Sequence, residues 1–558
     1  MKKILLIALI CLSAQGWAQD KDHNFDVAKN LDVLNVIYKQ LDLMYVDTLK
    51  AGEVIGNGIN AMLHTLDPYT EYYPEEKLKE LTFLRTGTYA GIGSVIRYNF
   101  DKKRVVFSEP SEGMPAAEVG LRKGEIILAI DDSGMTDMKN DYVSERLRGE
   151  AGTTFMLKVL RPSTGKTMKF KITRRAIQTP AIPYYGMLEN QVGYIILSSF
   201  TEGSAKEFRR ALIDLKKQGM KALLFDLRNN GGGSEQEAVD IVNMFVPKGR
   251  IVVSNRGKMS RVNHDYKTTV EPLDTVMPLV VLVNGQSASA SEITSGALQD
   301  MDRAVILGTR TYGKGLVQMT TDLPYNGSLK LTTSKYFIPS GRCIQAINYK
   351  KRREERGERR DGSLYGDRQP DSLAHVFHTL NGREVRDGGG IKPDVEVKPD
   401  SMTNIVFSLT ELIDSAELVL NYEMDYMAKH PTIASPKEFE LSDEDFADFK
   451  QRVLKSKFNY DRSTEKYLDD LEKIAKFEGY YDDARTEFDN LRAKLKHNIE
   501  KDLDLNKETL KQVIGNDLVT AYYYQRGGIE HSMRYDKQLK EAIRLALDTE
   551  QYNKILQP

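Results

Sequence analysis

One stretch, residues 278–318, constrains the fold more than any other part of this 558-residue chain. It opens with a short apolar, β-branched run at 278–284, which is typical of a buried strand. Gly285 and Gln286 interrupt the run, and apolar residues then recur at helical spacing from Ile293 onward. The stretch therefore predicts a buried strand that turns directly into a helix, as in an α/β core.

The turn between this strand and this helix reads Ser-Ala-Ser-Ala-Ser-Glu at 287–292. Ser289 and Glu292 are three residues apart, which is the capping-box pattern of a helix start. We therefore expect Ser289 to lie beside free backbone N–H groups and the positive end of the helix dipole.

A second strand-like run at 303–308 leads to Lys314, which lies between two glycines. A serine hydroxyl needs a base to become a nucleophile, and a lysine can serve when burial lowers its pKa and leaves the amine neutral. Ser–Lys pairs are a known variant of the catalytic triad. The same residues also fit a helix-capping serine and a turn lysine without any chemistry, since capping serines are common.

The order of these motifs resembles that of the carboxy-terminal processing peptidases, which are S41-type Ser/Lys proteases with an embedded PDZ domain. The segments that carry the resemblance are 281–284, 287–292, 296–300, 303–304 and 311–318. The resemblance implies that Ser289 is the nucleophile, that Lys314 is the general base and that Gln318 orients the base. It also implies that the reaction needs no metal or cofactor.

Composition describes an ordinary globular protein, because 41% of the residues are hydrophobic and 28% are charged. A formal net charge of −1 gives no reason to expect a nucleic-acid partner. Residues 1–18, with Lys2 and Lys3 before an apolar core and Ala18 at the end, have the pattern of a secretory signal peptide. The apolar core is too short for a permanent membrane anchor. We therefore expect an exported, periplasmic protein that keeps Cys343 alone and has no internal disulfide.

Residues 19–86 are predicted to form a helical segment with one apolar face. That face comprises Leu31, Leu34, Ile37, Tyr38 and Leu41. Two hypotheses are open for it. It could form a helical cap on the core or, as in some relatives of the resembling family, a dimerisation arm.

Residues 87–175 resemble the PDZ domain of that family in the order of their glycine-bounded apolar runs. The resemblance implies that backbone N–H groups of the first loop hold the terminal carboxylate of a peptide. That loop comprises Ala90, Gly91, Ile92 and Gly93. The expected partners are proteins or peptides with free, apolar C-termini, and a homo-oligomer or an adaptor protein is compatible with the sequence.

Residues 176–400 alternate strand and helix patterns, which predicts an α/β core. The resemblance implies the crotonase/ClpP-like form of that class, with the PDZ β-domain inserted into the chain. Three glycines at 231–233 suit backbone N–H groups that face an oxyanion, and they would also suit a turn for close packing. We expect Gly232 or Gly233 to supply one N–H group and Ala290 the other.

Residues 401–558 have a helical pattern, many charges and many tyrosines, and they predict a C-terminal helical domain without a catalytic constellation. The dense basic and acidic run at 350–360 is predicted to be a solvated surface loop.

The leading hypothesis is an endopeptidase that trims or degrades exported proteins from their C-termini. One alternative is a PDZ scaffold with an inactive peptidase core, against which the intact Ser289, Lys314 and Gln318 argue. Another is a trypsin-like PDZ protease that uses histidine, but neither His264 nor His378 lies in a catalytic sequence setting.

Overall fold

The computed structural model describes residues 2–349, 374–411, 413–460 and 462–557, with the side chains of all of these except 2–21 and 413–416. The charged run at 350–360, predicted to be a surface loop, therefore lies outside the described residues. The described residues fall into two compact units. The first draws on 1–78, 318–332 and Tyr349, and the second on the rest of the described chain.

The first unit is mainly helical. Its elements are α1 (Lys2–Met44), α2 (Ala51–His64), β1 (Glu71–Tyr73), a 3-10 helix (Glu75–Lys77) and parts of two long strands, β17 (Leu316–Asp322) and β18 (Ser328–Phe337). β1 pairs antiparallel with the start of β18, so that Glu71 lies opposite Lys330. These two side chains form an ion pair of 2.6 Å.

The predicted N-terminal helices are present, but the apolar face of α1 is not covered in the single chain. Four of its five predicted residues are exposed, and Leu34 retains 62% of its accessible surface. The segment is also less uniformly helical than the pattern predicted, because β1 follows a turn closed by Asp67. The Asp67 carboxylate accepts hydrogen bonds from the N–H groups of Tyr69 and Thr70 at 2.8 Å each.

A small β-domain opens the second unit after α3 (Leu78–Thr86). Its elements are β2 (Thr88–Gly91), β3 (Ser94–Asn99), β4 (Arg104–Pro110), α4 (Pro115–Glu118), β5 (Ile126–Ile130), β6 (Ser133–Gly134), α5 (Asn140–Leu147), β7 (Thr154–Arg161), β8 (Lys166–Thr173) and β9 (Arg175–Gln178). The main sheet has the order β3-β4-β5-β7-β8, so β3 is an edge strand, and α5 packs beside it. Alternating apolar side chains such as Phe107, Ile127 and Leu157 fill the core of this domain.

A six-stranded, mostly parallel sheet forms the centre of the second unit, in the order β10-β11-β12-β15-β16-β21. Its strands are β10 (Tyr184–Met187), β11 (Val192–Ile196), β12 (Ala222–Asp226), β15 (Leu279–Val283), β16 (Val305–Gly308) and β21 (Val395–Glu396). Every residue of β12, β15 and β16 is buried, which is why these strands read as continuous apolar runs. The helices that follow β11, β12 and β15 are α6 (Ser204–Lys217), α7 (Glu235–Val242) and α8 (Ala290–Asp300).

Smaller antiparallel elements complete this core. β13 (Ile251–Gly257) pairs with β14 (His264–Lys267) and with the end of β18, and β19 (Val376–His378) pairs with β20 (Glu384–Arg386). The mixed α/β core, the inserted β-domain and the helical terminal regions confirm the predicted fold class.

Helices make up the C-terminal region. They are α9 (Asn404–Thr410), α10 (Ile413–Lys429), α11 (Asp443–Lys455), α12 (Ser463–Glu478), α13 (Tyr481–Leu495), α14 (Ile499–Leu505), α15 (Lys507–Ser532), α16 (Lys537–Leu547) and α17 (Thr549–Leu556). Leu539 and Leu545 of α16 pack with Leu282 against one face of the six-stranded sheet. Leu420 and Met424 of α10 pack against β4 and β5 of the β-domain. Within the described part of the chain, no helix is both long and apolar enough to cross a membrane.

Candidate functional site

Ser289 lies where β15 turns into α8, as the strand-to-helix pattern predicts. Its backbone has a φ of 57° and a ψ of −115°, a conformation that residues with a side chain rarely adopt. Such backbone strain costs on the order of 1–3 kcal/mol and is found mainly at functional sites. Every residue of α8 behind it is buried, so the surrounding packing holds Ser289 in this conformation.

The three serines of the 287–292 turn have different environments. Ser287 and Ser291 are fully buried, and their hydroxyl groups donate to the backbone oxygens of Leu227 and Asn230 at 2.8 Å each. Ser289 lies between them and is partly exposed. Of these three serines, Ser289 is therefore the one that is not fully buried.

One buried carboxylate joins the Ser289 turn to the Lys314 turn. Glu292 Oε2 accepts hydrogen bonds from the backbone N–H groups of Ser289 and Lys314, each at 2.9 Å. Glu292 Oε1 accepts from the N–H group of Gly313 at 2.7 Å and from the hydroxyl of Thr311 at 2.6 Å. The two backbones on which the predicted nucleophile and base are mounted thus share one oxygen atom as a common anchor.

Tyr336 on β18 adds a second connection between the same two turns. Its hydroxyl lies 2.6 Å from the carbonyl oxygen of Lys314 and 3.3 Å from that of Ser289. The side chain is almost fully buried. Sequence reasoning placed Glu292 in a capping box but assigned it no link to Lys314, and nothing in the sequence pattern pointed to Tyr336.

Glu292 is also electrostatically unusual. Complete burial raises the pKa of this carboxyl to about 7, although its four hydrogen bonds favour the ionised form. All four partners donate, so a protonated Glu292 would lose at least one acceptor position. The ionised carboxylate is therefore the form that holds the two turns in this arrangement.

Gly232 is the predicted oxyanion residue that approaches Ser289. A Cβ atom on Gly232 would lie 2.8 Å from Ser289 Cβ and 3.0 Å from the backbone nitrogen of Ala290, so this contact requires glycine. The N–H group of Gly232 donates to Asn230 Oδ1 at 2.9 Å. Gly233 faces the other way, because a Cβ there would lie 2.4 Å from the carbonyl oxygen of Phe200.

Asn230 ties this glycine turn to the nucleophile turn. It is fully buried, and its side-chain amide donates to the Leu197 carbonyl at 2.7 Å. Its own carbonyl oxygen accepts from the N–H group of Ala288 at 3.1 Å and from the hydroxyl of Ser291. Ala290 is the first residue of α8, where backbone N–H groups have no partner inside the helix. The glycine turn and the start of α8 thus form one hydrogen-bonded assembly.

Gln318 belongs to the first unit, in the part of β17 that follows the Lys314 turn along the chain. Within that unit, its side-chain amide donates to the hydroxyl of Thr332 at 3.1 Å. The sequence analysis did not predict a role for Thr332. The N–H group of Thr332 donates to the hydroxyl of Thr70 at 3.2 Å.

The four residues predicted to bind a peptide carboxylate divide between a strand and a loop. Ala90 and Gly91 lie in β2 and pair with β9, whereas Ile92 and Gly93 form the connection to β3. Gly93 has a φ of 69°, and a Cβ there would lie 2.4 Å from Met114, so the loop requires glycine at this position. The loop leads directly into β3, the sheet edge beside α5.

Among the side chains that the structure describes, no three from histidine, cysteine, aspartate and glutamate are grouped so that they could hold a metal ion.

Three sequence profiles match this chain. The profile of Peptidase family S41 matches residues 191–351, that of a PDZ domain matches 106–161, and that of the probable PDZ-protease C-terminal helical domain matches 409–546. The first profile covers the glycine turn, Ser289 and Lys314. The third covers α10 to α15 and nearly all of α16.

Individual relatives agree with these profiles. The chain is 34% identical over 348 residues to the carboxy-terminal-processing protease of Bartonella bacilliformis. The aligned region covers 62% of this chain and 79% of the relative. It is 35% identical over 307 residues to the carboxyl-terminal-processing protease of Synechocystis. That aligned region covers 54% of this chain and 70% of the relative. Among solved structures, a photosystem II D1 C-terminal processing protease is 26% identical, covers 65% of this chain and 86% of its own, and superposes with a TM-score of 0.35.

Proposed function

Because the chain belongs to the carboxy-terminal processing proteases of peptidase family S41, we propose that it is an exported serine endopeptidase with Ser289 as nucleophile and Lys314 as general base. The observation that carries this proposal is the shared anchor of the two turns. The backbone nitrogens of Ser289 and Lys314 both donate to Glu292 Oε2, and Ser289 is the one serine of its turn that is not fully buried.

In the proposed reaction, the uncharged amine of Lys314 takes the proton from Ser289 Oγ as that oxygen attacks the peptide carbonyl. The protonated amine then gives the proton to the departing amide nitrogen, so that the peptide bond breaks and an acyl-enzyme forms. Water, deprotonated by the same lysine, hydrolyses the ester. Gln318 has the proposed role of orienting the lysine amine.

The oxyanion of the tetrahedral intermediate would accept hydrogen bonds from the N–H group of Ala290 and from the glycine turn. Of the two candidate glycines, Gly232 is the one whose Cα faces Ser289. Its N–H group donates to Asn230 Oδ1 in this structure, so an oxyanion at this position would compete with that hydrogen bond.

Recognition of the substrate C-terminus is proposed for the β-domain. A peptide that adds to the edge of β3 would place its last residue at the Ile92–Gly93 loop, whose backbone donors suit a carboxylate. A carboxylate held by such charge-assisted hydrogen bonds gains roughly 1.5–3 kcal/mol over a neutral end. Amidation of the substrate end would therefore lower the affinity by roughly ten- to a hundredfold.

Export to the periplasm is proposed from the basic and apolar pattern of the first 18 residues. In that compartment, the expected substrates are unfolded or processed exported proteins with apolar C-termini.

Hydrolysis of casein tests the catalytic assignment. Ser289→Ala should abolish it, and Lys314→Arg should be equally inactive, because arginine cannot be deprotonated at ordinary pH. Ser295→Ala is the matched control, since this serine lies on α8 behind the site and donates to the Ser291 carbonyl. Casein hydrolysis by Ser289→Ala would refute the assignment of the nucleophile, and an active Lys314→Arg would refute that of the base.

A pair of peptides tests C-terminal recognition. The same sequence is offered with a free acid end and with an amide end, and kcat/KM is compared on the full-length protein. We expect the free acid to be preferred by roughly tenfold or more. Equal values for the two peptides would refute recognition of the terminal carboxylate.

A further inference from the structure

The first turn of the C-terminal helix α16 contacts the loop that carries the glycine turn. Arg228, which lies between β12 and the glycines, makes an ion pair of 2.7 Å with Asp536 at the start of α16. Its other terminal nitrogen donates to Gln538 Oε1 at 2.9 Å. The side-chain amide of Gln538 donates in turn to the carbonyl of Val397 at 2.6 Å. A residue of the protease core is therefore held by two side chains from the C-terminal domain.

The other partner of Arg228 is Asp226, the last residue of β12. Arg228 Nε lies 3.0 Å from both carboxylate oxygens of Asp226, and Arg228 Nη2 lies 2.6 Å from one of them. The hydroxyl of Tyr194 donates to the same carboxylate at 2.6 Å. Arg228 thus lies between a buried aspartate of the core and a carboxylate of the C-terminal domain. With these contacts its planar guanidinium is fixed in orientation.

The position of Arg228 affects the glycine turn because only two residues separate them in the sequence. Asn229 has a φ of 61°, and its N–H group donates to Asn284 Oδ1 at 3.0 Å. Asn230 then makes the contacts with Ala288, Ser291 and Gly232 that join the glycine turn to the start of α8. The direction in which the glycine N–H groups point therefore depends on the segment 228–230. The first side chain of this segment, Arg228, is held by two side chains from the start of α16.

We propose that Asp536 and Gln538 are positioning residues for the oxyanion site, so that the C-terminal helical domain helps to orient the oxyanion donors through Arg228. This proposal rests on the proposed function of the glycine turn. Attachment of α16 to the core does not itself require the ion pair, because Leu539, Ala542 and Leu545 already pack on the sheet. Asp536 and Gln538 instead fix the orientation of a side chain two residues from Asn230.

Two substitutions at position 536 separate positioning from helix capping, because Asp536 also accepts a hydrogen bond from the N–H group of Leu539 at the start of α16. Asp536→Asn keeps a good N-cap but removes the charge that faces Arg228. Asp536→Glu keeps the charge but is a poorer N-cap. Asp548→Asn is the matched control, since Asp548 caps α17 by accepting from the N–H group of Gln551 and does not contact Arg228.

Steady-state kinetics on the full-length variants, with one peptide substrate, measure kcat and KM separately. We expect kcat of Asp536→Asn to fall by about tenfold or more with little change in KM, because misdirected oxyanion donors weaken the transition state rather than substrate binding. Affinity for a peptide aldehyde of the same sequence, whose hemiacetal oxygen would occupy the oxyanion site, should fall by a similar factor. Asp536→Glu should retain more activity than Asp536→Asn, and Asp548→Asn should behave as the unmodified protein.

Full activity of Asp536→Asn would overturn the proposal. So would a greater loss in Asp536→Glu than in Asp536→Asn, which would make capping the important role, or equal losses in Asp536→Asn and Asp548→Asn. Failure of the proposed function would show separately, as casein hydrolysis by Ser289→Ala.

Discussion

Glu292 at the candidate active site and Glu423 at the contact of the β-domain with α10 are both buried, and burial raises the pKa of each carboxyl to about 7. Their surroundings differ. Glu292 accepts four hydrogen bonds from neutral donors, three of them backbone N–H groups. Glu423 forms an ion pair of 2.8 Å with Lys123 across the domain contact. One carboxylate is held by fixed backbone, and the other by a charge on a different domain.

The two environments suit different kinds of structure. Backbone donors around Glu292 cannot move without unfolding the turns, so this carboxylate fixes geometry. At Glu423, the Lys123 ammonium also feels the carboxylates of Asp517 and Glu109, so three acidic groups surround one cation. A cavity of about 500 Å³ adjoins this cluster. The domain contact therefore depends on charge balance, whereas the Ser289 and Lys314 turns depend on hydrogen-bond geometry.

The largest effect is expected when the domain contact loses its cation. Lys123→Met leaves Glu423 buried without its partner, which costs about 3–5 kcal/mol. Hydrogen exchange should then accelerate at Phe100 and Asp101, whose N–H groups donate to Glu417 of α10. Lys473→Met is the control, because its ion pair with Asp470 is exposed to solvent and therefore weak. Unchanged exchange in Lys123→Met would show that the pair does not hold the two domains together.

At the candidate active site, Glu292→Gln should lower kcat by about a hundredfold, since the nitrogen of the new amide group cannot accept and leaves N–H donors unpaired at about 1–3 kcal/mol each. Asp274→Asn serves for comparison, because its carboxylate also accepts from two backbone N–H groups, those of Val276 and Met277. Asp274 forms an ion pair with Lys216 on α6, which lies outside the Ser289 and Lys314 turns, so kcat should not change. A Glu292→Gln protein with normal kcat would mean that the shared anchor is dispensable.

A smaller effect is expected from pH at the domain contact. The pKa of Glu423 rises from an ordinary 4.5 to about 7 when the domains are docked, so the docked state binds a proton more tightly. The contribution of this pKa difference to the free energy of docking is complete below pH 4.5 and is lost as the pH rises through about 7. Protection of Phe100 and Asp101 from exchange, corrected for the intrinsic rate, should thus be higher at pH 5.5 than at pH 8. In Glu423→Gln this dependence should be weaker but not absent, because burial also raises the pKa values of Glu109 and Glu417 at the same contact. Protection that instead increased with pH would contradict the assigned direction.

The smallest effect is expected from Tyr336→Phe. It removes a hydroxyl that contacts the carbonyls of Lys314 and Ser289, and a buried hydrogen bond of this kind contributes about 1 kcal/mol. We expect kcat to fall by a few-fold, up to about tenfold. Tyr467→Phe on the exposed face of α12 should change nothing. A loss as large as that of Glu292→Gln would make Tyr336 the main connection between the two turns.

The sequence by itself determined the local elements of the protein. The apolar run at 278–284 becomes β15, the spacing after it becomes α8, and the capping-box pair of Ser289 and Glu292 forms at their junction. These features were predictable because strand and helix formation depend on the side chains of consecutive residues. Burial was less predictable, since the apolar face of α1 has the right periodicity but is exposed in the single chain.

Tertiary structure decided which of these elements meet. Glu292 was visible as a capping residue, but its bonds to Gly313 and Lys314 depend on how β16 and the following turn pack beside α8. The contact of Arg228 with Gln538 joins residues 310 positions apart. A hydrogen bond between distant residues leaves no periodic trace in the sequence, because any buried polar side chain of suitable length could make it. The hydrogen bonds that support the candidate active site therefore became visible only in the folded chain.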